Sequence, residues 1–129
     1  MYKYSFNARG YELDSYGHVN HAVYLNYLEQ ARWELFLQAG LIGQLKELGL
    51  LVVVIEVQVR YHREINQFDE MEILTEVNHE APYMVFHHKM YFSGTNVRAC
   101  TATIKTLCTD KGRLVRDIPK EISDKLIGS

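Results

Sequence analysis

The stretch DSYGHVNHAVYLNYLEQAR, residues 14–32, begins like a turn and continues with the spacing of a helix. From about Asn20 to Gln38, apolar residues recur every three or four positions, with Asn20 as the predicted amino-terminal cap and Gly40 as the predicted terminator. The first half of this segment is apolar around most of its circumference, which is typical of a helix surrounded by protein. We therefore predict a helix at the centre of the fold.

Outside this helix the sequence has the patterns of strands. Alternating aromatic residues in YKYSFNA predict a first strand, and LIGQLKELG predicts a short helix. The apolar period then changes to two, and one face of a long, half-buried strand is predicted to carry Val53, Ile55, Val57, Val59 and Tyr61. EMEILTEVN, YMVFHHKMYF and RACTATIKTL predict three more strands, residues 114–115 a short edge, and PKEISDKLIG a final helix. The simplest packing is an α+β fold in which a curved antiparallel sheet wraps around the central helix.

Length, charge and cysteine content limit the class of protein. A chain of 129 residues fits one domain, predicted to span residues 1–129. A formal net charge of -2 gives no basic field for nucleic acid, the amino-terminal MYKYSFNARG has no apolar signal segment, and the run LLVVVI is too short to cross a membrane. Cys100 and Cys108 lie in one predicted strand, about 26 Å apart at strand rise, which excludes a disulfide between them. We predict a cytoplasmic protein that binds neither nucleic acid nor membrane.

The opening stretch closely resembles a known signature. It is similar to the pattern Asp-x-x-Gly-His-Val-Asn-(Asn/His)-x-x-Tyr-x-x-x-x-Glu-x-x-Arg of hotdog acyl-CoA thioesterases, the 4-hydroxybenzoyl-CoA thioesterase-like family. The later GRLVRDIP is similar to the ending of that family. The resemblance implies a hotdog fold, hydrolysis of an acyl-CoA thioester to the acid and free coenzyme A, and assembly as a homodimer or homotetramer. We predict no cofactor, and no metal ion, because His18 and His21 lack a third ligand at convincing spacing.

Asp14 is the predicted catalytic residue. The resemblance implies that this carboxylate attacks the thioester carbonyl or activates a water, and an aspartate is ionised at neutral pH. It also implies that the backbone N–H of His21, or that of Asn20 or Ala22, polarises the carbonyl, since the first amides of a helix lack intrahelical partners. Gly17 is expected to allow close approach of the backbone to the substrate.

The other predicted substrate contacts are less sharply defined. His18 is expected to hydrogen-bond within the loop and order it, and Asn20 lies at the start of the helix. Tyr24 belongs to an aromatic stripe that contacts an acyl chain or fills the core. Arg60 and Arg63, near the end of the long strand, are expected to face the phosphates of coenzyme A.

Structural roles compete with these functional ones. Asp14 suits a turn or cap, and Glu29 and Arg32 have the spacing of an ion pair on a helix. His87 and His88 are predicted to point to opposite faces of one strand and carry no functional hypothesis. Two other activities compete as well. A hotdog hydratase or dehydratase lacks support because no Asp-x-Asn-x-x-His signature is present, whereas a non-catalytic acyl-binding protein could dispense with Asp14.

Overall fold

Six strands in one antiparallel sheet, three α-helices and a short 3-10 helix at Gly10–Glu12 make up the described part of the computed structural model, residues 1–112 and 114–127. In chain order the strands and α-helices are β1 (Tyr2–Asn7), α1 (Val23–Gln38), α2 (Ile42–Leu48), β2 (Leu51–Tyr61), β3 (Glu70–Glu80), β4 (Tyr83–Phe92), β5 (Arg98–Thr109), β6 (Val115–Arg116) and α3 (Lys120–Ile127). The strands are ordered β1-β3-β4-β5-β2, and β6 pairs with β5. This is the predicted α+β arrangement of an antiparallel sheet around a helix.

Helix α1 begins later than predicted and ends where predicted. The side chain of Asn20 accepts the N–H of Ala22 at 2.9 Å, and its carbonyl accepts the N–H of Val23 at 2.9 Å, so Asn20 closes a turn that precedes the helix. At the other end Gly40 has a φ of 71°, which glycine adopts without steric cost. The N–H of Leu41 then donates to Phe36 at 2.9 Å, a Schellman ending that confirms Gly40 as the terminator.

The inner face of α1 packs on the sheet and forms the core. Tyr27, Leu28 and Leu35 are among its buried residues, and Phe86 and Ile104 are buried on the facing strands. The ring of Phe36 meets Phe86 edge-on at 5.9 Å between centroids. The core therefore fixes where the beginning of α1 lies relative to the end of β2, and that corner contains the predicted site.

Strand β2 contains a β-bulge that the sequence pattern did not predict. Its register against β5 shifts after Val54. Before the bulge Val54 lies opposite Thr106, and after it Val57 lies opposite Ile104, both of which are buried. Because directly opposed residues share a face, Val53 leaves the face that it was predicted to share with Val57. The prediction for Val53 was wrong because one extra residue reverses the alternation.

Much of β2 and one stripe of α1 stay exposed in the single chain. Strand β2 ends the sheet path and has β5 on one side only. The exposed large hydrophobic side chains here are Leu51, Val53, Val54, Ile55, Val57 and Tyr61 on β2, and Leu25, Trp33 and Leu37 on α1. One chain by itself therefore does not provide the half-buried strand and the fully surrounded helix that were predicted.

The remaining predictions for the chain concern its cysteines and its end. Cys100 and Cys108 are both free and buried. The predicted short edge is present as β6 and the final helix as α3, while Arg113 and Gly128, which lie in the predicted GRLVRDIP and PKEISDKLIG segments, fall outside the described residues. No helix in the described ranges has the length and apolarity needed to span a membrane.

Candidate active site

Asp14 lies in a closed loop between β1 and α1. Its N–H donates to the carbonyl of His18 at 2.8 Å, and its own carbonyl accepts the N–H of Gly17 at 3.1 Å. Its carboxylate oxygen Oδ1 accepts the N–H groups of Tyr16 at 2.9 Å and of His18 at 3.3 Å, as aspartates commonly do in turns. The second oxygen, Oδ2, has no hydrogen-bond partner in the part of the chain that the structure describes. Asp14 thus shapes the loop with one oxygen and has the other available for chemistry.

Gly17 and His18 serve the loop through their backbones. Gly17 has a φ of 84° in the turn closed by Asp14, and a Cβ on it would meet open space. The need for glycine here is therefore conformational, and close approach to a substrate stays a prediction. The backbone of His18 forms two hydrogen bonds with Asp14 in this loop, whereas its side-chain Nε2 lies 3.7 Å from a carboxylate oxygen of Glu64. A role of the His18 side chain towards the substrate stays a prediction.

The start of α1 presents an amide without a partner. Val23 and Ala22 donate to Asn20, but the N–H of His21 has no acceptor within residues 1–112 and 114–127. An unpaired N–H at the positive end of a helix is suited to bind a developing oxyanion. Asn20 itself donates its N–H to the carbonyl of Glu12 at 2.9 Å, which ties this turn to the loop of Asp14.

Tyr61, the last residue of β2, contacts the backbone of His21 through the carbonyl. Its hydroxyl donates to the carbonyl of His21 at 2.8 Å, and its ring meets that of Tyr24 edge-on at 4.9 Å. Burial raises the pKa of Tyr61, so its hydroxyl remains a donor at neutral pH. Sequence reasoning placed Tyr61 only on the apolar face of a half-buried strand, because a contact with residue 21 has no local signal.

Glu12 and Tyr27 fasten the loop to the helix from beneath. The hydroxyl of Tyr27 donates to Glu12 Oε1 at 2.7 Å, and the N–H of Arg9 donates to the same oxygen at 2.8 Å. Burial, followed by the hydrogen bond to Glu12, raises the pKa of Tyr27 above its ordinary value. Glu12 is a buried carboxylate, and it was also missed from the sequence, where it reads as an ordinary loop residue.

Three other predicted site residues lie around this corner with different orientations. Tyr24 is buried, donates to the carbonyl of Arg63 at 3.5 Å, and has its pKa raised to about 12 by burial. Arg63 is exposed just after β2. Arg60 neighbours Tyr61 in the strand, so its side chain leaves the opposite face of the sheet, away from His21. The structure therefore brings Tyr24 and Arg63 to the start of α1 but does not bring Arg60 there.

A cavity of about 380 Å³ lies further along α1, between this helix, α2 and the beginning of β2. Apolar residues dominate its lining: Trp33, Phe36, Ile42, Leu45, Leu50, Leu51, Val52 and Val54. Arg32 also lines it and contacts Nε2 of buried His88 through Nη1 at 3.3 Å. The predicted ion pair between Glu29 and Arg32 is absent from the described residues, since the guanidinium turns to His88 on β4 instead.

Comparisons with known proteins agree with this architecture. Residues 9–126 match the family model of the thioesterase-like superfamily. The long-chain acyl-CoA thioesterase FadM of Escherichia coli is 38% identical over 55 residues, a segment that spans 43% of this chain and 42% of that protein. The structure of YbaW, a probable thioesterase from Escherichia coli, has a TM-score of 0.89 at 24% identity, covering 98% of this chain and 96% of that one.

A more distant structure has the same fold. A 1,4-dihydroxy-2-naphthoyl-CoA thioesterase from Synechocystis has a TM-score of 0.88 at 10% identity, covering 97% of this chain and 94% of that one. At such low identities the structural likeness supports the hotdog fold, while the match of the family model over residues 9–126 identifies the family. The chain therefore belongs to the thioesterase-like superfamily and is a thioester hydrolase of the hotdog fold.

Proposed function

We propose that this protein hydrolyses acyl-CoA thioesters with Asp14 as general base or nucleophile. One observation carries the proposal: Oδ2 of Asp14 and the N–H of His21 lack partners within the described residues, and backbone hydrogen bonds through Glu12 and Asn20 link their two segments. A carboxylate and an unpaired amide are the minimal groups for acyl transfer from a thioester.

Thioester hydrolysis can use these groups by two routes, which give the same acid and thiol. In the first, Asp14 takes a proton from water while the water oxygen attacks the carbonyl carbon, and the resulting oxyanion accepts a hydrogen bond from His21. In the second, Asp14 attacks directly to form an anhydride, which water then hydrolyses. In each case the carbon–sulfur bond breaks, and sulfur leaves as a thiolate that needs no dedicated general acid.

Hydrolysis of a panel of acyl-CoA esters, followed by release of free thiol, tests this activity. We expect turnover of at least one acyl class above the rate of a sample lacking the protein. An intact fold with no turnover across aliphatic and aromatic esters would contradict the proposal and favour an acyl-binding protein.

Recognition of the coenzyme A part is a separate element of the proposal. Arg63 comes just after Tyr61, whose hydroxyl contacts the backbone of His21, and this position supports a contact between Arg63 and a phosphate of coenzyme A. The side chain of Arg60 lies on the outer face of the sheet, and its contact with a phosphate is proposed on that face. The same acyl group on a truncated thiol should be cleaved less efficiently, and added salt should reduce the difference. Equal efficiency would point to recognition of the acyl group alone.

We also propose that two copies pair through β2, at least as a homodimer. The outer edge of β2 is unpaired in the described chain, and its apolar residues Val53, Ile55 and Val57 are exposed. Trp33 from the exposed stripe of α1 lines the same cavity as Leu51, so the helix and strand surfaces are continuous. Exposed edges of this kind are normally covered.

Sedimentation of a charged variant tests this assembly. Val57→Lys places a charge in the proposed interface and should lower the measured mass to that of one chain, whereas Val97→Lys makes the same change at an exposed turn and should not. An active wild-type protein that sediments as one chain would contradict the pairing. The proposed location is the cytoplasm, which the two free, buried cysteines support.

A further inference from the structure

The 380 Å³ cavity combines an apolar wall with two cationic residues, exposed Lys46 and partly buried Arg32, and Arg32 has no carboxylate partner among the described residues. Arg32 is partly buried, and its only hydrogen bond within the described residues is the one to His88. Glu29 also lines the cavity, but no oxygen of it lies within ion-pair distance of Arg32. Burial lowers the pKa of Arg32, with Glu29 acting in the opposite direction. A guanidinium has five N–H donors, so most of those on Arg32 remain available.

His88 holds Arg32 in place and cannot compete for an anion. It is buried on the inner face of β4, where burial, with the nearby charge of Arg32, lowers its pKa to about 3, so the ring is neutral. Since a guanidinium can only donate, Nε2 of His88 is the acceptor, and Nδ1 carries the proton and donates to Thr75 Oγ1 at 2.8 Å. Thr75 and His88 thus fix one edge of the guanidinium.

The cavity lies on the path that leads away from the proposed reacting groups. Strand β2 runs beside α1 in the opposite direction: Tyr61 contacts His21 at one end, and Val52 and Val54 line the cavity at the other. Arg32 follows Val23, the first residue of α1, by nine positions, which places it about 14 Å along the helix. The proposed reacting groups and the cavity therefore lie at two ends of the same α1–β2 pair, and an acyl group whose carbonyl is bound at the start of α1 would run between these two elements to reach the cavity.

We propose that the cavity binds the acyl group of the substrate and that Arg32 is a specificity residue, which donates hydrogen bonds to an oxygen near the far end of that group. The favoured substrates are therefore acyl groups with a terminal hydroxyl or carboxylate, and this inference rests on the proposed thioesterase function. The apolar residues Trp33, Phe36 and Leu45 contact the hydrocarbon part. An acyl group without such an oxygen leaves the donors of Arg32 unpaired in a partly buried site, which is costly.

Three matched esters of about ten carbons, close to the 14 Å span in extended length, test this specificity. They are decanoyl-CoA, its ω-hydroxy counterpart and the ω-carboxy ester of the same length. We expect kcat/KM of the better polar ester to exceed that of decanoyl-CoA about tenfold or more, the usual effect of a hydrogen bond to a charged group. A preference for the carboxylate identifies an anionic substrate class, and equal rates for both polar esters identify a neutral oxygen acceptor.

The variant Arg32→Met should remove that preference, so that the ratio of kcat/KM for the better polar ester to kcat/KM for decanoyl-CoA falls to about one. Because methionine leaves Nε2 of His88 unpaired, Arg32→Gln is measured beside it, since the amide restores a donor and still removes the charge. Lys89→Met is the matched control, which removes a charge from an exposed position next to His88 and should keep the wild-type ratio. An unchanged ratio in both Arg32 variants, or a wild-type preference for decanoyl-CoA, would overturn the inference.

Binding measurements separate this inference from the proposed hydrolysis. Calorimetry with non-hydrolysable thioether analogues of the same three esters reports acyl recognition even if no ester is cleaved. A polar preference in binding that Arg32→Met abolishes supports the inference whatever the activity. Turnover of all three esters with equal binding of their analogues contradicts the inference and leaves the thioesterase function standing.

Discussion

Replacing His88 by glutamine should make the folded protein less sensitive to acid. Burial and the charges of Arg32 and His87 lower the pKa of His88 to about 3, against about 6.5 in an unfolded chain. Between these values the unfolded chain binds a proton that the folded chain does not. The contribution of neutral His88 to stability is therefore complete above about pH 6.5 and is lost as the pH falls towards 3.

The two pKa values set the magnitude. One pKa unit corresponds to about 1.4 kcal/mol, so neutral His88 accounts for at most about 5 kcal/mol over the whole window. About 3 kcal/mol of this is lost by pH 4. Protonation has two direct effects: it places a second cation beside Arg32, and it removes the lone pair of Nε2 that accepts from the guanidinium.

Urea unfolding followed by circular dichroism between pH 7 and 4, at one protein concentration, measures this loss. His88→Gln keeps an acceptor for Arg32 and a donor for Thr75 but does not titrate. The free energy of unfolding of the wild type relative to this variant should therefore fall by about 3 kcal/mol across the range. His87→Gln should largely retain the acid-dependent loss, because His88 is still present. Parallel curves for wild type and His88→Gln would refute the reasoning.

Two further predictions concern the supports of the candidate site. Tyr61→Phe removes the 2.8 Å hydrogen bond to the carbonyl of His21, so turnover should fall several-fold while affinity for a non-hydrolysable analogue is retained. Steady-state kinetics measures the turnover, and calorimetry measures the affinity. Tyr27→Phe removes the 2.7 Å hydrogen bond to buried Glu12 and should lower the free energy of unfolding by about 1.5 to 3 kcal/mol in urea; an unchanged value would mean that water replaces the hydroxyl.

Local patterns predicted the elements of this fold well. The spacing of apolar residues located α1, and Gly40 marked its end because a positive φ after a helix has a strong sequence preference. The bulge after Val54 was not predictable from period, because one inserted residue leaves a run of valines and isoleucines looking the same. The exposed edge of β2 was not predictable either, because an apolar strand has the same sequence pattern whether its neighbouring strand belongs to the same chain or to another copy.

The candidate site was predictable where its signal lies in one stretch of chain. Asp14 and His21 lie seven positions apart just before the helix, and the structure shows each with an unpaired group in its described surroundings. The supports come from far along the chain: Tyr61 lies 40 residues from His21, and His88 lies 56 residues from Arg32. Only the packing of helix on sheet brings these partners together, so no local spacing could indicate them.

The most direct test of the proposed mechanism is the turnover of Asp14→Asn. Asparagine keeps an oxygen that can accept the N–H groups of Tyr16 and His18, so the loop should stay formed, but it removes the charge and the basicity of Oδ2. Asp110→Asn is the matched control, because Asp110 also accepts two backbone N–H groups in a turn, at 2.9 and 3.1 Å. We expect turnover by Asp14→Asn to fall about a hundredfold or more, with unchanged melting temperature and analogue affinity, while Asp110→Asn keeps its rate. A folded Asp14→Asn variant with wild-type turnover would contradict the catalytic role of Asp14.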